Sequence, residues 1–201
     1  MKRILVYDLN KTLYRKSSKN EFFKFLCSRR PKICFSIFGM LYSGLVYSLD
    51  LKNKTWFKDR FYRYLNGLKP KEVQKLAKQY WKREFPEQFR TEFLDEIKSS
   101  VQNGIEVYVV TGAYEIYVKY LETILPVNVI GTRAEYRDGK YHIIGKACND
   151  EEKVRRLEEH IRQDFVILKS YSDDDEAILY EAEEGYFLQG DSLIQVNKKR
   201  R

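Results

Sequence analysis

Histidine and cysteine are scarce in this chain, two and three among 201 residues. His142 and His160 stand alone, so neither a Ser-His-Asp arrangement nor a histidine metal pair is expected. Cys27, Cys34 and Cys148 are odd in number and form no Cys-x-x-Cys pair. That argues against a disulfide framework and a zinc knuckle, and it suits a reducing cytoplasm. Internal repeats and low-complexity linkers are missing as well. No RNA- or DNA-binding motif is present, which makes nucleic acid the weakest candidate partner. The first residues run directly into an apolar strand, so no cleavable signal peptide is expected.

What the chain does have is positive charge, a formal net +8. It collects in Ser28-Arg29-Arg30-Pro31-Lys32, between Lys52 and Arg63, and in Lys198-Lys199-Arg200-Arg201. The last run reads most simply as a frayed tail. Such a field attracts anions without choosing among phosphate substrates, acidic lipid headgroups and nucleic acid. With 43% hydrophobic residues, the chain can bury one good core and carry a smaller appendage.

Four segments carry chemistry. In Ile4-Leu5-Val6-Tyr7-Asp8-Leu9-Asn10-Lys11-Thr12-Leu13 an apolar strand delivers a carboxylate into a polar turn. Ligands of open α/β sheets bind beyond the carboxyl ends of strands, so Asp8 faces such a site. An ordinary turn capped by Asp and Asn would look similar. Next, Ile105 to Val110 reads as a buried strand that opens through Thr111-Gly112-Ala113 into a helical pattern over 114–125. A hydroxyl followed by helix N-terminal amides suits phosphate oxygens. In the third segment, Cys148-Asn149-Asp150-Glu151-Glu152-Lys153, one lysine falls in the first turn of a helix. A cation there opposes the helix dipole and calls for an anion nearby. Finally, the strand Phe165 to Leu168 opens into Ser170-Tyr171-Ser172-Asp173-Asp174-Asp175-Glu176. Adjacent carboxylates repel one another unless a cation sits among them, and Mg²⁺ is held by one or two carboxylates with water and phosphate.

In this order, each after an apolar strand, the segments resemble the four motifs of the haloacid dehalogenase superfamily. The helical stretch after the first motif, the Tyr-Ser-Asp element and the Cys-x-x-x-Glu-Lys-Val segment are most similar to the subgroup of phosphoserine phosphatase and phosphatidylglycerophosphatase C, with the closer likeness to the latter. The resemblance implies an α/β fold, a Rossmann-like core with a mainly parallel sheet flanked by helices and an inserted α-helical cap. The core would comprise 1–15 and 88–201 and the cap 16–87. It further implies an aspartyl-phosphate on Asp8, Mg²⁺ held by Asp8, the Asn10 carbonyl and Asp173, with Asp174 or Asp175 in support. Thr111 and Gly112 would hold phosphate oxygens. Lys153 would steady both nucleophile and phosphoryl group, with Lys146 as the runner-up.

One residue departs from the pattern. Asn10 stands where the superfamily carries a second Asp, the general acid and base, and a carboxamide cannot do that work near neutral pH. Acid–base catalysis contributes typically about 10²–10⁴-fold, so a substitute is required for turnover. Three readings stay open: an introduced change that stalls the enzyme, another acid such as Asp174, or a protein that binds phosphorylated ligands without hydrolysing them. The substrate class is a small phosphorylated metabolite or a lipid headgroup phosphate.

Periodicity places helices over 20–29, 32–49, 55–65, 70–85 and 89–102. Strands are expected over 127–131, 186–189 and 193–196, with a hairpin centred on Asp138-Gly139. Ile33 to Leu49 carries no charge for 17 residues, at the lower edge of bilayer-spanning length. The first reading is a helix that packs on the cap. The second is a helix lying in a membrane interface, its basic neighbours toward lipid headgroups and Tyr42 and Tyr47 at the boundary.

Overall fold

A computed structural model describes residues 1–49 and 51–198; the end of the basic tail and Asp50 lie outside the described residues. Strand β1 (Lys2–Tyr7) is followed by the helices α1 (Ser18–Arg29), α2 (Ile37–Ser48), α3 (Lys54–Phe61) and α4 (Pro70–Glu84). Helix α5 (Thr91–Gln102) then leads into β2 (Glu106–Tyr114), the short α6 (Glu115–Val118) and β3 (Asn128–Thr132). A hairpin of β4 (Ala134–Arg137) and β5 (Lys140–Ile143) precedes α7 (Glu151–Ile161) and β6 (Phe165–Ser172). The chain closes with α8 (Ala177–Glu181), β7 (Glu184–Gln189) and β8 (Ser192–Lys198).

Six strands form one sheet in the order β3-β2-β1-β6-β7-β8, parallel except for the β7–β8 pair. Alternation along β1 decides its two faces. Leu5 and Tyr7 join the aromatic core shared with α1, α4 and α5, whereas Ile4 and Val6 pack with Leu157, Ile161 and Ile178 from α7 and α8. The aromatic side is continuous from the sheet into the inserted helices. Phe22 stacks on Tyr117 with centroids 4.7 Å apart, Tyr62 stacks on Tyr114 at 3.9 Å, and the Trp81 indole N–H donates to the Tyr117 carbonyl at 2.7 Å.

Several expected boundaries move. Strand β2 runs on through Thr111, Gly112 and Ala113 because pairing resumes at Tyr114 opposite Thr132 after a register shift. The helix expected over 114–125 is therefore only the four-residue α6 and a 3₁₀ stretch, Lys119–Thr123. Thr111 is thus a strand residue and no helix cap. The helix expected over 32–49 begins as a 3₁₀ segment, Pro31–Ser36, before α2. The 55–65 helix starts at Lys54, capped by Asn53 Oδ1, which accepts from the Trp56 N–H at 2.9 Å, and tightens to 3₁₀ at Tyr62–Leu65. The hairpin forms where expected, with Asp138 and Gly139 both at positive φ, 51° and 75°, as a two-residue primed turn requires.

Helix α2 packs on α3 through Tyr47 and on the core through Met40, but it leaves much of the uncharged run uncovered. Only Ser43 is buried along it, and Phe38, Leu41, Tyr42 and Leu45 are between 60% and 70% exposed. Among the described residues no helix is long and apolar enough to cross a membrane.

The junction between inserted helices and sheet is expected to dominate stability. Truncating Phe22 to Ala removes a fully buried ring and should cost about 3–5 kcal/mol, read as a lowered urea midpoint with an unchanged m-value.

Candidate active site

The carboxyl ends of β1, β2 and β6 lie side by side at the centre of the sheet, with Tyr7 in register with Val109 on one side and Tyr171 on the other. Asp8 follows β1 directly. Its N–H donates to the Tyr171 carbonyl at 2.8 Å, and its carbonyl accepts from Leu13 at 3.3 Å, so the turn holds the side chain at the sheet edge. Asp173 leaves the neighbouring strand at the same level. A pocket of about 160 Å³ opens there, lined by Asp8, Asn10, Gly112, Lys153, Asp173 and Asp174 together with cap-side lysines.

Lys153 is the electrostatic centre of the pocket. Arg156, one turn further on, fixes α7 to the sheet by donating to the carbonyls of Gly131 at 2.7 Å and Lys146 at 2.6 Å. The Lys153 ammonium, 2% exposed, then donates to Asp8 Oδ1 at 2.6 Å and to the Glu176 carboxylate. Burial works against its charge, but Asp8 and Glu176 outweigh burial and lift its pKa. Burial also lifts the Asp8 carboxyl above the usual range, opposed by Lys153 and reinforced by Glu176. Asp173 is pushed up to about 6 by burial and then by the charges of Asp8 and Asp174.

The donor set fits a hard divalent cation. Asp8 and Asp173 bring oxygen donors to one small pocket, and the charge of Asp8 raises the cost of ionising Asp173. Among the described residues no three His, Cys, Asp or Glu side chains close into a ready-made cage. Two carboxylates in a polar pocket suit an ion of the Mg²⁺ kind, which takes one or two carboxylates and completes its shell with water and phosphate.

Asn10 is held firmly. Its Oδ1 accepts from the Ser18 N–H at 2.7 Å and the Ser18 hydroxyl at 2.6 Å, and its Nδ2 donates to Thr111 Oγ1 at 3.3 Å. Ser18 lies in turn 3.0 Å from the Tyr117 hydroxyl, itself 3.0 Å from that of Tyr62. Thr111 is fully buried behind Asn10 and does not line the pocket; its neighbour Gly112 does. Lys146 is exposed and lies away from the pocket. Asp174 sits at the pocket, exposed, with its N–H on the Ser172 hydroxyl at 3.2 Å. Asp175 is turned outward, where it accepts from the Tyr180 hydroxyl at 2.8 Å.

Two groups escaped sequence reasoning. Glu176, 5% exposed, partners Lys153 and accepts from the Ser172 hydroxyl at 3.1 Å. Its signal was its place as the last acid before the apolar Ala177-Ile178-Leu179, where a strand–turn–helix must fold back inward. Lys58 enters the pocket from α3, and nothing in its sequence surroundings separates it from other basic residues there.

Residues 5–175 match the haloacid dehalogenase-like hydrolase family. The chain belongs to that family. No curated protein matches it. Among solved structures it is similar to a protein of unknown function from Bordetella pertussis Tohama I, with TM-score 0.73 and 19% identity over 88% of this chain and 84% of that one. A phosphoserine phosphohydrolase-like protein from Francisella tularensis gives TM-score 0.58 and 12% identity over 88% and 80%. A substrate-bound phosphoserine phosphatase gives 0.56 and 16% over 90% and 83%. At these identities the likeness is one of fold. In this haloacid dehalogenase-like hydrolase the buried Asp8–Lys153–Glu176 group is a stability element. Removing the shared cation leaves two buried carboxylates unpaired, so Lys153→Met should lower stability by about 3–5 kcal/mol in urea unfolding at neutral pH.

Proposed function

We propose that this protein is a Mg²⁺-dependent phosphomonoester hydrolase working through an aspartyl-phosphate on Asp8. The observation that carries the reading is the Asp8 carboxylate at the end of the central strand, bonded to buried Lys153 at 2.6 Å in a pocket shared with Asp173. Asp8 and Asp173, with the Asn10 carbonyl, would hold the metal, and the metal when bound neutralises charge on the phosphoryl oxygens. Asp8 attacks phosphorus and the bond to the leaving oxygen breaks, giving an acyl phosphate and an alcohol that must take up a proton. Water then attacks the same phosphorus, gives up a proton, and releases inorganic phosphate and free Asp8. Lys153 balances the negative charge throughout, and Gly112 lines the pocket beside it. Residues 16–87 act as a cap, and their lysines Lys19, Lys54 and Lys58 favour an anionic substrate.

The substrate class is a small phosphorylated metabolite or a lipid headgroup phosphate, and the outward face of α2 favours the lipid. Phe38, Leu41 and Leu45 stand exposed between the basic Lys32 and Lys52, a pattern that suits an anionic lipid surface. Helix α2 leans on α3 through the Tyr47–Phe57 stack, centroids 5.1 Å apart, and α3 also supplies Lys54 and Lys58 to the pocket. Contact with lipid would therefore bring the mouth of the pocket to the headgroups.

Phosphate release from phosphomonoesters with Mg²⁺ tests the enzymatic reading. Wild type or Asn10→Asp protein should turn over, and Asp8→Asn should reduce either to background. If neither Asn nor Asp at position 10 supports release, the site is a phosphate-ligand binder. The lipid contact is checked by sedimentation with phosphatidylglycerol-containing vesicles. Binding is expected at low salt, with loss at high salt and on Leu41→Asp or Leu45→Asp, while indifference of the wild type to vesicles removes the membrane contact.

A further inference from the structure

Asn10 brings no acid to the pocket, and both ends of its amide are already engaged by Ser18 and Thr111. The other groups at the pocket divide by their partners. Lys153 and Glu176 are bound to each other, Asp173 pairs with Lys11 at 3.6 Å, and Lys19 lies over the rings of Phe57 and Phe61 at 5.4 and 5.2 Å. Lys54 is exposed at the rim. Lys58 differs from all of these. Its Nζ donates to the Gly112 carbonyl at 2.8 Å and to Asn149 Oδ1 at 2.5 Å, both neutral acceptors.

An ammonium carries three donors, and the protein uses two. The third remains for a ligand oxygen in the pocket that also holds Asp8. After proton loss the amine keeps two N–H groups for the same two acceptors, and its lone pair takes the place of the third donor. The seat is therefore satisfied in both protonation states. It also depends on glycine: a Cβ at Gly112 would fall 1.8 Å from Nζ and 2.4 Å from Asn149 Oδ1.

We propose that Lys58 is the general acid and base of this site, supplying from the cap the proton transfers that Asn10 cannot make. The inference rests on the phosphatase reading above. In the first half-reaction the Lys58 ammonium gives a proton to the leaving oxygen as its bond to phosphorus breaks, yielding the alcohol and a neutral amine. In the second half-reaction the amine takes a proton from the water that attacks the aspartyl-phosphate, which restores the ammonium as phosphate forms. The two transfers cancel over one turnover.

The surroundings tune the group for this exchange. Burial brings the Lys58 ammonium down to about 7, helped by the positive charges of Lys54 on its own helix, Lys153 on α7 and Lys19 on α1; Cys148 acts the other way. Asp8, Asp173, Asp174 and Glu176 line the same pocket. A group that releases and regains a proton near neutral pH is what acid–base catalysis requires.

The test compares kcat/KM for an alkyl phosphate, glycerol 3-phosphate, with that for p-nitrophenyl phosphate, whose leaving group departs without a proton. Lys58→Met should lose about 10²–10⁴-fold on the alkyl ester and far less on the aryl ester. Lys58→Arg should be as deficient as Met on the alkyl ester, because guanidinium keeps its charge but does not give up its proton. Wild-type kcat/KM on the alkyl ester should fall above pH about 7, where the acid form is lost, and Lys58→Met should lack that limb. Asn10→Asp in the Lys58→Met background should restore alkyl turnover, which also shows that the variant folds. Equal losses on both esters, or rescue by Arg, would reduce Lys58 to a charge that binds substrate and overturn the proposal. Turnover only after Asn10→Asp overturns it while leaving the phosphatase reading intact; silence of both proteins removes that reading too.

Discussion

One ammonium between two buried carboxylates is the constraint on which this structure depends. Lys153 donates to Asp8 and Glu176, and all three are less than a tenth exposed. Carboxylates so placed repel each other strongly, and the cation between them offsets that repulsion. The three residues also come from different parts of the fold, the ends of β1 and β6 and the start of α7. Their attraction therefore ties the nucleophile turn, the acidic turn and a helix into one rigid corner. Further links reinforce it: Arg156 fastens α7 to the sheet, and Asp150, just before α7, accepts from the Ala177 N–H at the start of α8 at 3.1 Å.

Opposite this corner the molecule builds a different surface. The inserted helices share one continuous aromatic core with the sheet, so the lysines they bring to the pocket are mounted on a packed support. Tyr62 illustrates the coupling, since it lines the pocket, stacks on Tyr114 and joins the hydroxyl chain that ends at Asn10. Helix α2 is the exception to this packing, with its large apolar side chains turned to solvent. A phosphate-sized pocket with an acidic floor and a cationic roof thus sits close to an apolar face. That proximity joins the chemistry proposed for Asp8 to the surface proposed for lipid.

Much of the sheet was legible because its signals are local. Alternation in β1, the Asp138-Gly139 turn and the apolar runs of β2 and β6 each follow from side chains within a few residues. Asp8, Asp173 and Lys153 were legible because each follows or opens an element at the same edge. The extension of β2 through Ala113 was hidden, since it depends on pairing with β3, a partner distant in sequence. The direction of the apolar residues in α2 was hidden for a related reason. An uncharged run states that burial is favourable without stating what covers it.

The sequence by itself determined the order of the main strands and helices, the carboxylates and lysine proposed for phosphoryl chemistry as candidates, and the amide at Asn10, because these rest on residue type and short-range periodicity. Tertiary structure alone decided that Glu176 and not Asp175 turns inward to Lys153, that Thr111 lies behind Asn10, and that Lys58 meets Gly112 across 54 positions of chain. Those choices come from charges and hydrogen bonds formed between distant segments, whose strength depends on separation in space and on burial, neither of which exists until the chain has closed.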